Sequence, residues 1–160
     1  MSRLPKRANP RNANPIEAAV TVTSRVRRRG VRIRSVRSDA LRLLRELDVG
    51  AELSVALVDD AEMQSLNATY RNTDRPTDVL AFPMWEGSFQ PLLGDVVISL
   101  DTAARQAVER GVSIAHEVRL LLTHGILHLL GYDHERSATD ARRMFALQRR
   151  LVRLLHRSGD

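Results

Sequence analysis

The chain has 160 residues, 43% of them hydrophobic, no cysteine and a formal net charge of +6. That length suits one domain with a buried core, and the missing cysteine excludes disulfides, thiolate ligands and a cysteine nucleophile. No run approaches the ~20 apolar residues of a membrane span, and no apolar segment follows the basic N-terminus as a secretory signal would require, so the expected location is the cytoplasm.

The charge is unevenly placed. Residues 1–37 hold eleven Lys/Arg against Glu17 alone, a balance of +10, whereas the other 123 residues hold fourteen basic and eighteen acidic groups, a balance of −4. All the basic residues but Lys6 are arginine, whose guanidinium forms bidentate contacts with phosphate. A nucleic-acid partner is therefore favoured over a merely solvated tail.

Residues 1–15, with Pro5, Pro10 and Pro15 and almost nothing apolar, read as a disordered basic tail. Residues 16–158 form one domain, with no repeat or linker to divide them. Ala18–Ser24 alternates β-branched residues and predicts a strand. Arg25–Arg34 is either a basic loop or more strand. Ser35 or Ser38 is expected to cap a helix with Leu41, Leu44 and Leu47 as its apolar stripe, ending before Gly50. Glu52–Val58 predicts a second strand. Asp59 or Asp60 then caps a helix to about Arg71, with Met63, Leu66 and Tyr70 expected in the core.

Thr77–Phe82, bounded by Pro76 and Pro83, reads as a short edge strand, and Met84–Pro91 as a loop containing Trp85. Gly94–Leu100 predicts another strand, followed by a helix capped by Asp101 and ended by Gly111. Ser113 opens a long helix to Leu130. A last helix starts at Ser137 or Thr139, with Met144, Leu147, Leu151 and Leu155 on one face and arginines on the other. Strands alternating with about five helices give an α/β or α+β layer, with strand direction left open.

The long helix carries the chemistry. In LLTHGILHLLGYDH, His124 and His128 are four apart and so share a helix face, Gly131 sits where a helix-ending glycine would, and His134 returns three residues later. Three neutral imidazoles with a position left open are the donor set of a catalytic zinc site. The spacing also matches zinc proteases of the metzincin type, but the general-base Glu that follows their first histidine is here Gly125, and Met144 lies in predicted helix. Zinc would lower the pKa of its water to about 7 and polarise a phosphoryl oxygen. Phosphodiester hydrolysis would further need a cation, for which Arg71 and Arg75 are candidates.

The segments NATYRNTDRPTDVLAFP (Asn67–Pro83), LLGDVVIS (Leu92–Ser99) and HGILHLLGYDH (His124–His134) resemble the YbeY family of bacterial single-strand endoribonucleases, in matching order from about Glu52 to Leu147. The resemblance implies a mixed four-stranded sheet surrounded by helices, with the metal site at the end of a long helix. It implies one divalent metal per chain, usually Zn²⁺, on His124, His128 and His134, and it selects Arg71 over Arg75 as the catalytic arginine. The implied partners are single-stranded RNA, the 16S rRNA precursor and the small ribosomal subunit, in 3′-end maturation and ribosome quality control. Ala81 departs from the serine common in the family's TDVLSFP, and the arginine-rich tail is not a family feature.

Glu117, two helical turns before His124, and Asp133 are candidates to accept a hydrogen bond from a ligand histidine. His116 and His156 fall outside the motif and are read as structural. The alternatives are a zinc protease-like hydrolase and a non-catalytic ribosome assembly factor with a structural metal.

Overall fold

A computed structural model describes residues 17–84 and 92–159. The expected tail (1–15) and the Trp85 loop lie outside the described residues. Four strands, β1 (Ala19–Ser24), β2 (Glu52–Val58), β3 (Val79–Pro83) and β4 (Leu92–Ser99), form one sheet in the order β1-β2-β4-β3. β1 and β4 run parallel to β2, and β3 runs antiparallel to β4. The sheet is therefore mixed, and β3 is an edge strand as its flanking prolines predict. Pro83 extends that strand by pairing with Gly94, which an edge tolerates because one side needs no N–H.

Five helices pack around the sheet: α1 (Ile33–Glu46), α2 (Asp60–Arg71), α3 (Leu100–Arg110), α4 (Ile114–Leu129) and α5 (Ala138–Gly159). Leu53, Val55 and Leu57 of β2 and Val96 and Ile98 of β4 form one core with Leu43, Leu122, Ile126, Met144 and Leu151 of α1, α4 and α5. The intervening residues Val58 and Val97 join Leu80 and Met63 of α2 in a second, smaller cluster. The period-two alternation of β-strands separates the two clusters. No helix among the described residues is long and apolar enough to cross a membrane.

Two helix starts differ from the sequence expectation, those of α1 and α3. α1 begins at Ile33, with neither Ser35 nor Ser38 capping it; Arg32 holds the cap position without a side-chain bond. Its buried stripe is Val36, Ala40, Leu43 and Leu44, so Leu41 lies off the centre of the buried face. Arg25–Arg32 is the loop alternative, turned by a hydrogen bond from Val31 N–H to Arg28 O (3.1 Å). α3 is capped by Ser99 and not by Asp101. The Asp101 carboxylate instead accepts from the backbone N–H of Asp60 at 2.9 Å, so it serves the first turn of a different helix. Tyr70, expected in the core, is 64% exposed, because the end of α2 overhangs the sheet edge and its ring meets Phe82 edge-on at 5.4 Å.

Two features of α4 position the histidines. Ser113 Oγ accepts from His116 N–H at 3.1 Å and starts the helix at Ile114. Gly131 takes φ +94° just after it, a conformation that costs glycine nothing and that sends Tyr132–His134 back toward the helix. Between them, Gly125 lets α4 lie close to the sheet: a Cβ there would stand 2.8 Å from Val96 Cγ1.

Candidate metal centre

The three motif histidines converge. One ring nitrogen from each of His124, His128 and His134 lies within 4.8 Å of the others. Their ring centroids are 4.8, 5.3 and 5.5 Å apart, and the rings meet edge-on or tilted. None of the three is hydrogen-bonded to another. All are half-buried.

The ring nitrogens also suit a cation. Gln148 Oε1 on α5 lies 2.8 Å from His124 Nδ1; an amide oxygen only accepts, so Nδ1 carries the hydrogen and Nε2 keeps its lone pair. His134 Nδ1 is buried and has no hydrogen-bond partner among the described residues. Burial, followed by the neighbouring His124 and His134, holds the His128 imidazole below its usual pKa and so in its neutral form, which is the form that ligates metals. Three imidazole donors of this kind fit a borderline-soft divalent ion and leave a coordination position free.

Gln148 was not anticipated from the sequence. It is 7% exposed, a polar residue on the otherwise apolar Met144–Leu151–Leu155 face of α5. That anomaly is the signal that would have exposed it. The two carboxylates expected in its place are engaged elsewhere. Glu117 is fully buried at the other end of α4, 3.2 Å from Arg110 Nη1, and neither of its oxygens is hydrogen-bonded. Burial raises its pKa, against the pull of Arg110. Asp133 accepts from the Glu135 N–H at 2.8 Å and lies 3.4 Å from Arg136 Nε, so it shapes the turn after Gly131.

Arg71 ends α2 at the outer edge of β3. One of its N–H groups donates to Ala81 O at 2.8 Å, and its guanidinium carbon stands 5.4 Å from the centre of the Phe82 ring. Most of its five donors therefore face solvent. The Arg75 side chain is exposed and makes no hydrogen bond or ion pair among the described residues. Met144 is buried within α5, not in a turn beneath the histidines.

A mixed sheet carrying three convergent imidazoles at the end of a long helix defines a small α/β protein with the donor set of a catalytic metal centre. The family profile described as endoribonuclease YbeY matches residues 23–156. An endoribonuclease YbeY of Aquifex aeolicus is 50% identical over 72% of this chain and 81% of its own length. One from Geobacter metallireducens is 45% identical over 88% of this chain and 97% of its own. The solution structure of TM1509 from Thermotoga maritima superposes with a TM-score of 0.62 at 26% identity, covering 86% of this chain and 88% of that one. The chain belongs to the endoribonuclease YbeY family.

Proposed function

We propose that this protein is a metal-dependent endoribonuclease that hydrolyses phosphodiester bonds of single-stranded RNA. Its place would be the cytoplasm, in 3′-end maturation of the 16S rRNA precursor on the small ribosomal subunit and in ribosome quality control. The observation that carries this reading is the convergence of His124, His128 and His134 within 4.8 Å in a chain whose relatives are named endoribonucleases.

The three imidazoles would hold one divalent ion, zinc or another metal that suits an all-imidazole donor set. When bound, that ion would supply a Lewis acid to the scissile phosphodiester and to the attacking water. The chain's own residues do the rest. Gln148 fixes the tautomer of His124. Arg71, through the N–H groups not used on Ala81, would bind a phosphate oxygen and offset charge as the water oxygen bonds to phosphorus and a ribose oxygen leaves. Positioned charge of this kind is worth about 10²–10³ in rate. Peptide hydrolysis is disfavoured because position 125 would have to carry a base, and any side chain there meets Val96.

The test is metal analysis of the purified protein beside cleavage of a single-stranded RNA, with and without chelator. Arg71→Glu should keep its metal and lose at least about 100-fold in cleavage. Cleavage at the wild-type rate would remove Arg71 from the mechanism. A metal-loaded wild type that leaves RNA intact would instead make the protein a non-catalytic assembly factor.

A further inference from the structure

Helix α5 is charged beyond anything the histidine site requires. It holds Arg142, Arg143, Arg149, Arg150, Arg153 and Arg157 against a single carboxylate, Asp140. All six arginines are exposed, and among the described residues none reaches a carboxylate; Arg142 meets only Thr139 Oγ1, at 3.3 Å. Pairs such as Arg149–Arg153 and Arg153–Arg157 are four apart, where like charges destabilise a helix. An ordinary solvated face relieves that repulsion by interleaving acids, and this one does not.

The stripe also has a direction. His124 contacts Gln148, and His116 contacts His156, so α5 runs antiparallel to α4, with its N-terminal half at the histidine site. From Gln148 to His156 the helix rises about 12 Å. At about 100° per residue, Arg142, Arg149 and Arg153 lie within about 80° of Phe145 around the axis. Phe145 is 36% exposed, and its ring centre is 5.6 Å from that of His134 and 6.4 Å from that of His124. An exposed aromatic at the mouth of the site therefore heads a row of unpaired guanidinium groups. Aromatic platforms combined with a cationic track are how single strands are bound without reading their sequence.

We infer that the exposed face of α5 is the surface that receives the single RNA strand at the histidine site. Phe145 stacks a nucleobase beside the scissile phosphate, Arg149 and Arg153 take successive phosphates, and Arg142 takes one about 10 Å from Arg149, on the other side of Phe145. Arg149 and Arg153 are about 6 Å apart along the axis, comparable to the phosphate repeat of an extended strand. A base within a duplex cannot offer its face to Phe145 without unstacking, so the surface favours single strands. The inference rests on the endoribonuclease reading for its substrate, and its test separates the two.

The experiment measures binding of a short fluorescein-labelled oligouridylate to the metal-loaded full chain by stopped-flow anisotropy, across a salt series, with cleavage followed in parallel. The double variant Arg149→Gln/Arg153→Gln should lower the slope of log K against log salt by about 1.4, roughly 0.7 for each phosphate that is no longer neutralised. Phe145→Leu keeps an apolar wall but no stacking face. It should weaken binding about 5- to 100-fold with the slope unchanged, while Phe145→Trp retains affinity. Arg34→Gln/Arg45→Gln removes the same charge from another helix, α1, and should leave the slope alone.

An unchanged slope in the α5 variant, or an equal reduction in the α1 control, overturns the surface. So does wild-type affinity in Phe145→Leu. If the wild type binds with the expected slope yet never cleaves, the surface stands and the endoribonuclease reading falls. If it cleaves while the α5 variants bind as wild type, the reading stands and the surface falls.

Discussion

Helices α4 and α5 are joined at two levels, each by a histidine of α4 and a side chain of α5, and the two levels have opposite chemistry. At the C-terminal end of α4, Gln148 occupies the Nδ1–H of His124, and the rings of His128 and His134 stand around it without bonding to one another. At the N-terminal end, His116 Nδ1 lies 2.5 Å from His156 Nε2, and the rings stack with centroids 4.7 Å apart. Arg119 Nη1 lies 3.1 Å from His156 Nδ1, and Arg119 Nε donates to Asp39 at 3.0 Å. A guanidinium only donates, so His156 Nδ1 accepts and its Nε2–H donates to His116. Both facing lone pairs are spent, and the guanidinium would repel a cation. Clustered imidazoles thus suit a metal ion only where the partner of the other ring nitrogen leaves the lone pairs free.

The largest break in this comparison comes from deleting a proposed ligand. His128→Ala should reduce bound metal to background in elemental analysis and take RNA cleavage with it. His156→Ala, at the other level, should keep one metal per chain. Full metal content in His128→Ala would mean that the ion sits elsewhere.

A smaller effect tests the partner itself. Gln148→Leu keeps the volume and leaves the His124 Nδ1–H without an acceptor inside the fold. Loss of such a partner costs about 10–100-fold in metal affinity, readable by competition with a chromogenic chelator. Gln148→Glu restores an acceptor and should recover most of that loss. Equal affinity in Gln148→Leu would show that the tautomer of His124 is set by the metal alone.

What the sequence revealed follows from how local each contact is. His124, His128, Gly131 and His134 belong to one helix and its turn, so spacing alone brought them together. The strands Ala19–Ser24 and Glu52–Val58 were legible because alternation is local too. Gln148 reaches His124 across 24 positions, through a helix packing that no window of sequence contains. Glu117 looked eligible because seven residues nearly complete two turns, but it stands about 10 Å along the axis from His124, beside Arg110. Two helix starts, those of α1 and α3, failed for a related reason. Ser99 and Asp101 are both good caps, and which one serves α3 depends on where β4 ends and where Asp60 N–H arrives from another helix. The mixed strand directions came from family resemblance; neither composition nor periodicity encodes them.

The smallest expected effect separates the two levels by pH. Burial, then His156, Arg119 and Arg110, hold the His116 imidazole below its usual pKa, so the fold prefers it neutral. Its contribution to stability is therefore complete above about pH 6.5 and fades as the pH falls through the depressed folded value. Asp39, raised by burial against the pull of Arg119, shifts stability in the other direction. Between about pH 5.5 and 7.5, thermal melts of the metal-loaded protein should lose more stability on acidification in the wild type than in His116→Gln. His124, His128 and His134 are present in both proteins, so the difference isolates the His116–His156 level. Because His116 is only half-buried, solvent screens part of the penalty and the difference should be a few degrees at most. Parallel pH profiles would mean that the second proton is accommodated by rotating His116 away, and that this level joins the helices through ring packing alone.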